Sequence, residues 1–140
     1  MPFKSRANRS AALPLSQAES SRSVEVISET LLMACASWDG AAYPQYPACA
    51  PMIGVLRISV PPHTVLAWHH HPVPAVGYLL SGELTIEKKD GNQQKTFVRG
   101  EAIAEVVNSV HRGIAGAEPV ELLVFYAGGV GIPLSIICEA

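Results

Sequence analysis

The chain is poor in charge, in aromatic side chains and in cysteine. Charged residues are 16% and aromatic residues 6% of its 140 positions, and the formal net charge is −2. With no Lys/Arg runs and no basic excess, it lacks the electrostatic footprint of a nucleic-acid or anionic-membrane binder. No apolar stretch approaches the roughly 20 residues that a membrane-spanning helix needs. Lys4, Arg6 and Arg9 precede only a short apolar run, Ala11 to Leu15, which Pro14 interrupts, so no secretory signal is read there. Cys35, Cys49 and Cys138 are odd in number and widely spaced, matching neither a zinc ribbon nor a disulfide framework. They are expected to be small buried hydrophobes of a protein in a reducing, cytoplasmic compartment.

What is present is apolar and β-prone. Nearly half of the residues, 49%, are hydrophobic, and the length suits one compact domain with a sizeable core. Met1 to Ser23 is rich in Ser, Ala, Arg and Asn without a sustained period, and is expected to be a flexible tail ahead of a single domain over residues 24–140. From Val24 onward, short β-branched runs alternate with Gly and Pro. Strands are expected at Met52 to Val60, Thr64 to His71, Ala75 to Ser81 and Glu83 to Lys88, with Gly82 as a bulge or tight corner. Asp90-Gly91 is the strongest hairpin signal. Further strands are expected at Lys95 to Val98, Ala102 to Val107, Val110 to Ala115 and Val120 to Tyr126, before a C-terminal extended segment. The one helical candidate, Ser28 to Ala36, also reads as a strand. Many short strands and no long helical period indicate an all-β sandwich or barrel.

The chemistry concentrates in histidine. Along a strand successive side chains alternate faces, so His69 and His71 point one way and His70 the other. Two imidazoles on one strand face make half of a transition-metal site, and His111 from a later strand would complete a facial set with open positions. The competing reading is a pair of hydrogen-bonded core histidines. His63 is read as solvent-facing.

With these strands in place the chain resembles the cupin superfamily, small β-barrels of jelly-roll type. The first cupin motif is matched by PPHTVLAWHHHPVPAVGYLLSGEL, in which His69, His71 and the closing Gly82 fall in register. Ala75 stands where the family has its Glu ligand, and His63 where it has the opening Gly. The second motif is matched by GEAIAEVVNSVHRGIAG, with Gly100 and His111 in register. Val106, Asn108 and Ala115 there replace the motif's Pro, Gly and Asn. The resemblance implies an all-β, single cupin-type barrel and a metal centre of His69, His71 and His111. It would take a divalent transition metal, iron first, with manganese, nickel, copper or zinc as alternatives.

Without the Glu, three neutral imidazoles would leave the ion its full double charge and favour an anionic exogenous ligand. The small side chains of Ala75 and Gly77 share a strand face and would leave room for a bound molecule. Glu105 is the candidate catalytic residue. Turned inward, it would orient a ligand His, shuttle a proton or supply the acid missing at Ala75; turned outward, it is an exposed strand charge. Arg112 would offer a guanidinium to an anionic substrate or stand as a surface cation. Trp68 and Tyr78 are expected between barrel layers or at a subunit contact. The function expected is that of a dioxygenase-like, metal-dependent enzyme acting on a small organic molecule. The alternatives are a non-catalytic cupin that binds a small ligand, or a metal-free structural dimer. A second copy of the chain is the expected protein partner, through an edge strand that the stretch from Val24 would supply.

Overall fold

The computed structural model describes residues 24–139, so the tail expected over Met1 to Ser23 lies outside the described residues. The chain divides into units Met1–Thr30 and Leu31–Ala140. Of the first, residues 24–30 are exposed and form no regular element. The second carries nine strands, and no helix occurs among the described residues.

The strands are β1 (Pro51–Val60), β2 (His69–His70), β3 (Ala75–Ser81), β4 (Glu83–Lys88), β5 (Gln94–Val98), β6 (Ala102–Ala104), β7 (His111–Ala115), β8 (Val120–Gly129) and β9 (Ile136–Ile137). One sheet has the order β9-β2-β7-β4-β5 and the other β1-β8-β3-β6, with every pairing antiparallel. This is the expected all-β jelly-roll architecture. Period-two alternation explains the core directly. Ala75, Gly77 and Leu79 of β3 and Leu122, Val124 and Tyr126 of β8 point inward, where they join Leu84, Ile86 and Phe97 of the other sheet.

Two of the motif substitutions keep the backbone that the glycine would have had. His63, in the opening Gly position, has φ 58°, and Asn108, in the second motif's Gly position, has φ 57°. Both hold the left-handed conformation that glycine adopts without strain and that Asn tolerates better than most residues. Their amides stay engaged: His63 N–H donates to the Gly116 carbonyl and Asn108 N–H to that of His71, each within 2.9 Å. Gly82 has no such substitute, because a Cβ there would collide with the carbonyl of Pro119.

Three expectations are corrected. Residues 28–36 form neither helix nor strand; Ala36 makes only an isolated bridge to Ala42, since a run this short cannot sustain a helix without packing. The strand expected from Thr64 to His71 shrinks to His69–His70. Val65 makes only an isolated bridge to Ile114, flanked by hydrogen bonds from Ala115 N–H to the Thr64 carbonyl and from Leu66 N–H to the Gly113 carbonyl. The cysteines are not buried: Cys35 and Cys49 are exposed and Cys138 half-buried. All three lie outside the strands, where alternation does not govern burial.

Candidate metal centre

β2 and β7 bring the histidines together. His69 and His111 are direct cross-strand partners, and His71, one residue past the end of β2, regains the face of His69 by strand parity. The three ring centroids lie 4.5–5.0 Å apart, and one ligand nitrogen from each falls within 4.8 Å of the others. His71 and His111 are buried, and His69 is half-buried.

Backbone carbonyls orient all three rings. The Nδ1–H of His69 donates to Ala67 O at 2.9 Å, that of His71 to Leu134 O at 3.0 Å, and that of His111 to Ser109 O at 2.8 Å. A carbonyl cannot donate, so Nδ1 carries the proton in each ring and the Nε2 lone pair is left free. The competing reading of two hydrogen-bonded core histidines therefore accounts for one nitrogen of each ring and leaves the other unexplained. Burial pushes the His71 imidazolium down to about 4 and that of His111 to about 3, although the Leu134 and Ser109 carbonyls pull the other way. Both rings are neutral at pH 7, as ligation requires.

Glu105 faces inward. It sits one residue beyond β6, where its N–H donates to the Ala75 carbonyl at 3.1 Å, so it neighbours the position at which the motif has its Glu. Its Oε1 lies 4.0 Å from His71 Nε2 and 3.8 Å from His111 Nε2, and it is buried without a hydrogen-bond partner. Burial alone pushes the carboxyl up to about 7. The space over Gly77 is filled by this side chain, since a Cβ there would meet Glu105 Oε2 and Ile103 Cδ1, each at 3.4 Å. The bare glycine at 77 thus leaves Glu105 and Ile103 room to pack over it.

Three free nitrogen donors and one unpartnered carboxylate oxygen, converging in a buried pocket, suit a divalent transition ion. Bonds of roughly 2.0–2.2 Å hold two ligands of such an ion about 3–4 Å apart. An ion there would meet a carboxylate as well as imidazoles, which alters the charge count expected from three neutral rings.

The donors open onto a cavity of about 200 Å³ whose remaining wall is mostly apolar, including Ile58, Leu66, Ile86 and Val124. It is smaller than the roughly 300–1,000 Å³ usual for drug-sized ligands. Arg112 is not in it: its Nε donates to Glu87 Oε1 at 2.9 Å and its guanidinium stacks 4.2 Å from the Trp68 ring. His70 also points away, with Nδ1 3.3 Å from Cys138 Sγ. Tyr126 and the Leu134 carbonyl belong to the site and were not singled out in the sequence. Tyr126 was within reach, since alternation along Val120 to Tyr126 puts it on the face of Leu122 and Val124. The Leu134 carbonyl carried no signal.

The family model described as "Cupin domain" matches residues 56–126, and the chain belongs to the cupin family. No curated protein matches it. Among solved structures it is similar to the DMSP lyase DddQ from Ruegeria pomeroyi DSS-3, with 16% identity over 61% of this chain and 42% of that one, and a TM-score of 0.54. It is similar to the polyketide cyclase RemF from Streptomyces resistomycificus, with 18% identity over 66% and 64% of the two chains and a TM-score of 0.54. An oxalate oxidase in complex with the substrate analogue glycolate shares 19% identity over 61% and 45%, with a TM-score of 0.50. The alignments span less than two thirds of each of these structures. A lyase, a cyclase and an oxidase on one scaffold fix the fold and leave the reaction to the site.

Proposed function

We propose that His69, His71 and His111 hold a divalent transition metal, iron first, and that the protein is a dioxygenase-like enzyme acting on a small organic molecule. The observation that carries this reading is the convergence of three Nε2 lone pairs whose Nδ1 partners are already spent on backbone carbonyls. Such an ion, when bound, supplies Lewis-acid and one-electron chemistry. Glu105 is the catalytic carboxylate: Oε1 helps to complete the donor set, and the group accepts the proton that a substrate hydroxyl or thiol gives up on binding. The apolar wall excludes water and strengthens each of these interactions.

We further read the protein as a cytoplasmic homodimer. Its three cysteines are unpaired, which suits a reducing compartment. β1 is a ten-residue edge strand whose Ile53 and Val55 are 69% and 62% exposed, a surface that a second copy would cover.

Elemental analysis of protein purified without chelator tests the metal, with about one transition-metal ion per chain expected. Oxygen uptake against a panel of thiols, dicarbonyls and flavonoids tests the reaction. Metal without uptake on any panel member counts for a non-catalytic binder. Absence of metal at neutral pH counts for a structural barrel and ends the proposal.

A further inference from the structure

Most polar groups of the cavity have an assigned partner or role. Three imidazoles and Glu105 are committed to the metal donor set. Ser135 is exposed to solvent. That leaves Tyr126, which is 2% exposed and stands on β8 with its ring 5.7 Å from that of His71. The hydroxyl of Tyr43 is engaged by the Glu105 carbonyl at 2.8 Å, whereas that of Tyr126 makes no hydrogen bond to a described residue. The Tyr126 hydroxyl is also not one of the fully buried side-chain atoms that lack a partner, so it is open to the cavity, where an oxygen of a bound molecule would take the place of water. The rest of the wall is hydrocarbon, and among the described residues no Lys or Arg lines it.

We propose, resting on the metal reading, that Tyr126 is a substrate-binding residue. Its hydroxyl donates to an oxygen of a molecule that has an oxygen-bearing head at the metal centre and an uncharged, apolar body along Ile58, Leu66, Ile86 and Val124. A second charge on the substrate has no counter-ion in this cavity and is selected against. The substrate class is thus a small apolar molecule with one oxygen-bearing head, not a dicarboxylate.

The test uses the full chain loaded with cobalt(II), its visible absorption titrated with butanohydroxamate, which has two oxygens on an apolar tail, and with ethanethiol, which has no oxygen. Tyr126→Phe keeps the ring and removes only the donor. It should weaken butanohydroxamate by about three- to tenfold, leave ethanethiol within about twofold, and leave the cobalt content unchanged. Equal weakening of both probes would mean a packing role, and no weakening of either would mean an idle hydroxyl; each result overturns the assignment. The monohydroxamate of succinic acid has the same head with a carboxylate ending its tail, and should bind the unmutated protein at least about tenfold more weakly than butanohydroxamate. Equal binding would overturn the charge limit. Failure of the unmutated chain to take up cobalt sinks the metal reading itself, whereas cobalt uptake with indifference to Tyr126 sinks this inference alone.

Discussion

Among the described residues the carboxylate side chains of Asp39 and Glu105 are both buried, and their surroundings could hardly differ more. Asp39 accepts from Lys88 Nζ at 2.6 Å, from the Ser37 hydroxyl and from the Ala41 amide, and these donors outweigh burial to bring it down to about 2. Glu105 is buried with one oxygen that no donor reaches, and burial pushes it up to about 7. The first carboxylate is completed by its own chain and acts as a clamp between the 37–41 turn and the end of β4. The second is left incomplete beside three free imidazole nitrogens. In the proposed function that bare oxygen is the one that meets the metal ion.

The sharpest way to break this contrast is to remove a neighbour of Glu105. His111→Ala should reduce metal affinity by at least about 100-fold and abolish any rise in melting temperature on adding metal, measured by elemental analysis and thermal denaturation. Unchanged metal content would mean that Glu105 is bare for another reason. Next in size is the clamp. Asp39→Asn leaves the largely buried Lys88 ammonium without its counter-charge and should cost about 3 kcal/mol in urea denaturation without altering metal content.

Glu105→Gln should change sign with metal. In chelator at pH 8 it removes an unpaired buried charge and should stabilise the chain by about 1–3 kcal/mol. With metal present it should weaken binding by about 10- to 100-fold. Loss of stability in chelator would show that Glu105 is satisfied after all.

The smallest effect is the pH dependence. Asp39 has a folded pKa below its ordinary 3.8, so its stabilisation is complete above that value and is lost as pH falls towards about 2. Glu105 has a folded pKa above its ordinary 4.5, so its contribution is complete below 4.5 and is lost as pH rises through about 7. His71 and His111, held below their ordinary 6.5, contribute above that value and lose it as pH falls towards about 4 and 3. Metal-free protein should therefore show a shallow decline between about pH 6.5 and 7 that Glu105→Gln removes, read as melting temperature in chelator.

Much of this was legible along the chain. Strand limits at Ala75 to Ser81 and Glu83 to Lys88 agree to the residue, because alternation and the flanking Pro and Gly both mark them. The opposite facing of His70 relative to His69 and His71 followed from parity alone. The direction of Glu105 did not. Glu105 shares the inward face of Ile103, two residues before it, but residues 102–107 are apolar on both faces apart from Glu105 itself, so alternation there does not say which face is buried. Nor does alternation govern Cys35, Cys49 and the segment 28–36, which lie outside the strands.

The order of residues was enough to specify which histidines share a face, where the chain must turn, and that a rolled sheet would result, because these depend on contacts between near neighbours in the chain. Whether the acid missing at Ala75 is replaced was settled between strands. Glu105 reaches the histidines only because β6 pairs with β3, and it is bare only because no other element places a donor beside it. Hydrogen-bond satisfaction in a core depends on what the whole fold brings within about 3 Å, and no local pattern encodes that.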